Sequence, residues 1–155
     1  MTTKHNLDLQ VATEAQYGVA EDDFYRWSEK AILGTSPQAV TLRLVDDPEM
    51  TELNEQFRQK SGSTNVLSFP FEAPIDLDEP LLGDVIICMP VVAREAEQQN
   101  KTLDAHLAHM VVHGLLHLQG FDHIETDEAE LMEAKETAIL AELGYANPYQ
   151  SHPAQ

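Results

Sequence analysis

The stretch from Leu103 to Gln119 constrains this chain more than any other. It carries Leu107, Met110, Val111, Val112, Leu115, Leu116 and Leu118. A helix that is apolar on most sides must be enclosed by the rest of the protein. His113 and His117 stand in the same stretch. Four residues apart on a helix, both imidazoles project from one face, one turn apart. Two ring nitrogens then reach one ion at ~2.0–2.1 Å. Gly120 follows three residues later, and glycine readily takes the left-handed conformation that ends a helix and turns the chain back. That turn brings His123 round as a third ligand. Three histidines leave a fourth tetrahedral position, the pattern of a catalytic metal site. An imidazole buried without partners costs roughly 2–7 kcal/mol. Backbone carbonyls satisfy a single core histidine, but three at this spacing around a glycine turn point to a metal centre. His109, one turn ahead of His113, reads as facing a neighbouring element or solvent.

The remaining elements follow from periodicity. Leu7, Leu9 and Val11 alternate as in a half-buried strand, and Phe24, Trp27, Ala31 and Ile32 recur at helical spacing over 21–33. Val40, Leu42 and Leu44 predict a second strand. Asp47 then reads as an N-cap followed by Pro48, opening a helix to about residue 59. Residues 65–69 form a short strand stopped by Pro70. An acidic, proline-bearing exposed loop is expected over 73–80, and a buried strand over 82–89, interrupted at Gly83-Asp84. Pro90 starts a helix that fades near Asn100. Thr126 caps a last helix that ends at Leu143-Gly144. Strands come early and helices late, which gives an α+β class: one domain over 1–144, a small mixed β-sheet packed with helices, and a flexible tail over 145–155.

Composition limits the partners. Lys and Arg total 9 against 27 Asp and Glu, a net charge of −18. That excludes a general basic nucleic-acid or anionic-membrane binder and favours cationic partners, although one local site can still hold RNA. Cys88 is the single cysteine, so no internal disulfide forms. Apolar runs fall far short of the ~20 residues that span a bilayer, and the first residues lack a signal peptide's apolar region. A cytoplasmic protein is expected.

The spacing of His113, His117, Gly120 and His123 matches the metzincin pattern H-E-x-x-H-x-x-G-x-x-H. The helix is zincin-like in that respect. The glutamate that serves proteases as general base is replaced here by Gly114, which weighs against a metallopeptidase.

The whole segment His113-Gly-Leu-Leu-His117-Leu-Gln-Gly-Phe-Asp-His123 resembles the signature of the bacterial YbeY family of single-strand-specific endoribonucleases and rRNA maturation factors. Thr64-Asn65-Val66-Leu67-Ser68-Phe69-Pro70-Phe71-Glu72 resembles its second signature, and Leu53-Asn54, Arg58 and Leu82-Gly83-Asp84-Val85 fall in the expected order. The resemblance covers roughly residues 40–145. It implies zinc on His113, His117 and His123, maturation of the 3′ end of small-subunit rRNA, a part in ribosome quality control, and an arginine, Arg58, important for activity.

Read physically, a guanidinium at Arg58 holds phosphate oxygens by paired hydrogen bonds; the alternative is a surface arginine pairing with the abundant acids. Thr64, Asn65 and Ser68 either line the cleft or pin their loop, and pinning is the simpler reading. Asp84 is either a partner of a metal-binding histidine or part of a strand bulge. Asp122 is a turn residue first, and a base or histidine partner second. The function expected is a metal-dependent endoribonuclease acting on single-stranded rRNA. It would reach the small ribosomal subunit by docking its acidic surface on a basic ribosomal protein. The alternatives are a zincin-type metallopeptidase and a non-enzymatic ribosome assembly factor with a structural metal.

Overall fold

The computed structural model describes residues 6–14, 18–33, 38–70, 81–121 and 125–149. The elements run β1 (Asn6–Val11), α1 (Glu21–Ala31), β2 (Ala39–Val45), α2 (Asp47–Arg58), β3 (Val66–Pro70), β4 (Leu81–Cys88), α3 (Met89–Gln98), α4 (Leu103–Leu118) and α5 (Thr126–Glu142). Their order is the one the hydrophobic periodicities predict. The strands form a mixed sheet in the order β1-β2-β4-β3. β1 and β4 both run parallel to β2, whereas β3 runs antiparallel to β4 at the sheet edge. The α+β class stands. The acidic loop expected over 73–80 lies outside the described residues.

Side-chain alternation sorts the sheet into two faces. Val40, Leu42, Leu44, Val85 and Ile87 point to the main core, where they meet α1, α4 and α5. Val45, Leu67, Ile86 and Cys88 point the other way, toward Met50 of α2. Trp27 and Phe24 of α1 are fully buried and pack edge to face at 5.1 Å. Each such side chain removed from water contributes about 1.5–3 kcal/mol. The core therefore lies mainly on one side of the sheet, with α4 at its centre: nearly every residue from His106 to Leu116 is buried.

Local signals explain how α4 is held. Thr102 caps it, its Oγ1 accepting from the Ala105 N–H at 3.3 Å. At the other end Gly120 has φ +100°, its N–H donates to the His117 carbonyl, and the Phe121 N–H donates to the Leu116 carbonyl. This pair of bonds is a Schellman stop, the turn the sequence predicts at Gly120. Gln119 ties α4 to α1: its amide donates to the Ala31 carbonyl and accepts from the Leu33 N–H, both at 2.8 Å.

Three local expectations shift. The N-cap of α2 is Asp46, and Asp47 is already helical. Glu125, not Thr126, caps α5. It forms a reciprocal box with Glu128, because its longer acidic side chain reaches the third N–H and leaves Thr126 inside the first turn. The strand at Gly83-Asp84 is continuous, but its register against β2 skips one residue, with Ala39 opposite Leu81 and Val40 opposite Gly83. This is the bulge reading of that dipeptide.

Gly114 sets the spacing of α4 from the sheet. A Cβ built there meets the Val85 methyls at 2.6 and 3.2 Å and the Ser68 Oγ at 3.3 Å. No side chain fits, so the glutamate of the zinc proteases has no room in this fold. Gly114→Ala is expected to destabilise the protein by about 1–3 kcal/mol through overpacking, despite alanine's better helix propensity. Urea unfolding checks this, and adding Val85→Ala should return part of the loss.

Candidate metal centre

His113 and His117 stand one turn apart on α4, their rings edge to face with centroids 4.8 Å apart. The spacing thus delivers the side-by-side pair that the sequence predicts. His113 keeps 20% of its side chain exposed, so this pair lies at the margin of the core. His123 and Asp122 lie outside the described residues. The backbone that leads to them leaves α4 through the Gly120 turn.

The largest feature not legible as a motif is Glu136, on α5. Its carboxylate has no solvent exposure. Oε1 accepts from His109 Nε2 at 2.7 Å and Oε2 accepts from His113 Nδ1 at 2.8 Å. Tyr149 also donates its hydroxyl to Oε1 and lies 3.1 Å from His109 Nε2. Ligand atoms of His109, His113 and Glu136 fall within 4.8 Å of one another, a group that could hold a metal ion. A signal for Glu136 existed: with Met132, Ile139 and Leu140 buried on α5, an acid four residues after Met132 sits on the apolar stripe. His109 faces a neighbouring element, as expected.

Burial alone would push the Glu136 carboxyl up. The hydrogen bonds from His109 and His113, the charge of His113 and the Tyr149 hydroxyl outweigh burial and hold it at about 2. The same contact works the other way on Tyr149: burial first, then the carboxylate it bonds, push its hydroxyl well above the usual phenol range. The next turn of α4 repeats the pattern at lower stakes. His106 Nε2 meets Glu95 Oε1 at 2.9 Å, and burial holds that imidazole below its usual value. Glu95 also accepts from Asn65 Nδ2 at 3.1 Å.

The described part of the second signature segment, residues 64–70, is built into the scaffold. Asn65 pins its loop to α3 through Glu95. The Ser68 hydroxyl donates to the Gly114 carbonyl at 3.2 Å and pins β3 to α4. Asn54, buried in α2, donates to the Gly62 carbonyl at 2.9 Å. Arg58, the last residue of α2, is exposed and donates from Nη2 to the Ser68 carbonyl at 3.2 Å. One serine thus joins Arg58 to the backbone between His113 and Leu115. Asp84 has the parity of Ile86 and Cys88 on β4, the face turned away from α4, so the carboxylate partner of His113 is Glu136 instead.

Residues 145–149, read from sequence as tail, reach both sides of the core. Tyr145 Oη accepts from Trp27 Nε1 at 3.2 Å, and Tyr149 closes over Glu136. No helix among the described residues is long and apolar enough to cross a membrane.

A carboxyl held at about 2 against an ordinary 4.5 stabilises the fold by on the order of 3 kcal/mol when ionised. The folded value lies below the unfolded one, so that contribution is complete above ~4.5 and is lost as pH falls toward about 2. In metal-free protein, Glu136→Gln should lower the urea midpoint at neutral pH, and the gap from wild type should narrow across that acidic window.

The chain is similar to known proteins in both sequence and fold. The sequence profile of the family described as Endoribonuclease YbeY matches residues 7–144. The chain is 57% identical over 147 residues to the Endoribonuclease YbeY of Pseudomonas entomophila (strain L48), covering 92% of each protein. The solution structure of TM1509 from Thermotoga maritima has a similar fold, with a TM-score of 0.51 at 24% identity over 92% of this chain and 99% of that one.

Proposed function

The chain belongs to the Endoribonuclease YbeY family, and from that membership we propose that it is a metal-dependent, single-strand-specific endoribonuclease that matures the 3′ end of small-subunit rRNA and serves ribosome quality control. The observation that carries this reading is the convergence of two separate motifs. Ser68 accepts from Arg58 through its carbonyl and donates to Gly114 through its hydroxyl, so the arginine and the histidine helix share one anchor.

The donor set suits a borderline-soft divalent ion; three imidazoles suit zinc, and nickel, copper and cobalt also take imidazole. His113, His117 and His123 would hold it. The paired rings of His113 and His117 and the acid behind His113 support that assignment. When bound, such an ion supplies Lewis acidity toward a phosphoryl oxygen and toward water. The chain's own residues do the rest. A guanidinium carries five donors in a fixed fork; one N–H of Arg58 anchors the group on Ser68, and the others hold the non-bridging oxygens of a phosphodiester. Charge grows on those oxygens as the scissile bond breaks, and a preplaced cation stabilises it at the transition state.

The same geometry argues against the peptidase alternative. Proteases of this spacing take their base from the residue after the first histidine, and the contact between α4 and Val85 leaves room only for Gly114.

Net charge requires a partner that offsets it. At −18 the protein repels RNA except near Arg58 and the histidines, so the acidic surface would dock on a basic ribosomal protein of the small subunit in the cytoplasm, leaving that site to take the single strand.

Purified protein is to be assayed on single-stranded RNA beside zinc analysis. His113→Ala and His117→Ala should each lose both the metal and cleavage. Arg58→Ala should keep stoichiometric zinc and lose about 100-fold in cleavage rate. Full zinc in both histidine variants would overturn the site, and cleavage surviving all three changes would mark a contaminating nuclease. A folded, zinc-loaded wild type with no cleavage would favour an assembly factor with a structural metal. Ribosome association should weaken steadily from low to moderate salt; binding indifferent to salt would overturn the docking model.

A further inference from the structure

The buried acid of α5 takes no step in the cleavage scheme above, and its hydrogen bonds determine more than stability. An ionised carboxylate only accepts hydrogen bonds. Glu136 therefore obliges His109 to carry its proton on Nε2 and His113 to carry its proton on Nδ1. For a neutral His113 the ring lone pair then sits on Nε2, the nitrogen on the far side of the ring from Glu136. With Nδ1 bonded to α5, the same ring meets His117 edge to face. The carboxylate itself has no freedom to turn. Both oxygens are engaged, Tyr149 bonds the one that His109 bonds, and the side chain is wholly enclosed.

We propose that Glu136 is a positioning residue of the metal centre: it holds His113 in the Nδ1-protonated tautomer and fixes its ring so that Nε2 serves as the ligand atom. Tyr149 and His109 fix the carboxylate in turn, so residues 145–149 form part of the site's support. The inference rests on the reading of His113 as a metal ligand. It also decides between two roles for the His109, His113 and Glu136 group. Direct ligation through the inward-facing atoms would use His113 Nδ1, whereas the hydrogen bonds at 2.7 and 2.8 Å already satisfy those atoms without an ion. A carboxylate behind a metal-binding histidine raises the ring's basicity and holds its orientation, and loss of such a partner commonly costs 10–100-fold in metal affinity.

The test uses the whole chain labelled with 15N, with and without zinc. Long-range proton–nitrogen correlation identifies which nitrogen of His113 carries the proton and which shifts on metal binding. Competition with a chromophoric chelator gives the affinity. In zinc-loaded wild type, His113 should be protonated on Nδ1 and coordinated through Nε2. Glu136→Gln should weaken zinc binding about 10- to 100-fold and populate a mixture of His113 tautomers in the metal-free protein. Met132→Ala removes a buried apolar side chain from the same helix face and leaves every histidine and Glu136 in place. It should leave affinity within a few-fold of wild type and the tautomer unchanged. Coordination through Nδ1 in wild type would overturn the proposal, and that measurement stands even if Glu136→Gln does not fold. Equal weakening in Glu136→Gln and Met132→Ala would overturn it too, reducing Glu136 to a stabilising role. Wild type that binds no zinc would overturn the metal reading and this inference together. Zinc bound by wild type, lost in His113→Ala and unchanged in Glu136→Gln would overturn the role of Glu136 alone.

Discussion

Helix α4 is enclosed on almost every side because Gly114 lets β4 approach its backbone. The Val85 methyls occupy the space a Cβ would need, and the Ser68 hydroxyl bonds the Gly114 carbonyl beside them. Much of the structure follows from that approach. The sheet closes one flank of α4, α1 and α5 close others, and the polar residues on α4 must find partners inside the protein. A larger residue at this position would lift the helix from the sheet, and with it the histidines from Ser68 and the arginine bonded to it.

Enclosing a helix with four histidines raises a charge question that the fold answers with acids from neighbouring helices. Glu95 of α3 meets His106, and Glu136 of α5 meets His109 and His113. A fully enclosed carboxylate is costly unless donors surround it, and Glu136 has three. The two ring bonds end on an acceptor-only carboxylate, which fixes the proton of each neutral ring on the nitrogen that faces it.

The element order and the α+β class were legible because each segment carries a clean period, from the alternation of Leu7, Leu9 and Val11 to the enclosed run of α4. The paired histidines and the Gly120 stop were legible for the same reason: both are short-range geometry. What escaped was long-range. Glu136 lies 23 residues from His113, on a helix whose outward faces are also acidic, so only its place among Met132, Ile139 and Leu140 distinguishes it from its solvated neighbours. Tyr149 sits in a segment with too few apolar residues to announce a docked role. The capping shift from Thr126 to Glu125 escaped because a glutamate can take a threonine's part when its side chain folds back on the third N–H.

The described signature residues divide into those that tie elements together and those that stand at the margin of the fold. Asn54, Asn65, Ser68, Gly114 and Gln119 each hold one element to another, through Gly62, Glu95, the α4 backbone, Val85 and α1 respectively. Their polar groups are engaged within the fold, and the exposed guanidinium of Arg58 and the paired rings of His113 and His117 stand at its margin. This division bears on the excess of negative charge. A protein carrying −18 does not gather a polyanion by its overall field, so attraction for a phosphodiester has to be concentrated where cationic groups are held rigid and close. The scaffold residues do that holding. The rest of the surface can then be acidic without weakening the proposed site, because screening in salt confines those distant charges to roughly 8–10 Å, whereas Arg58 would act on a phosphate at hydrogen-bond range.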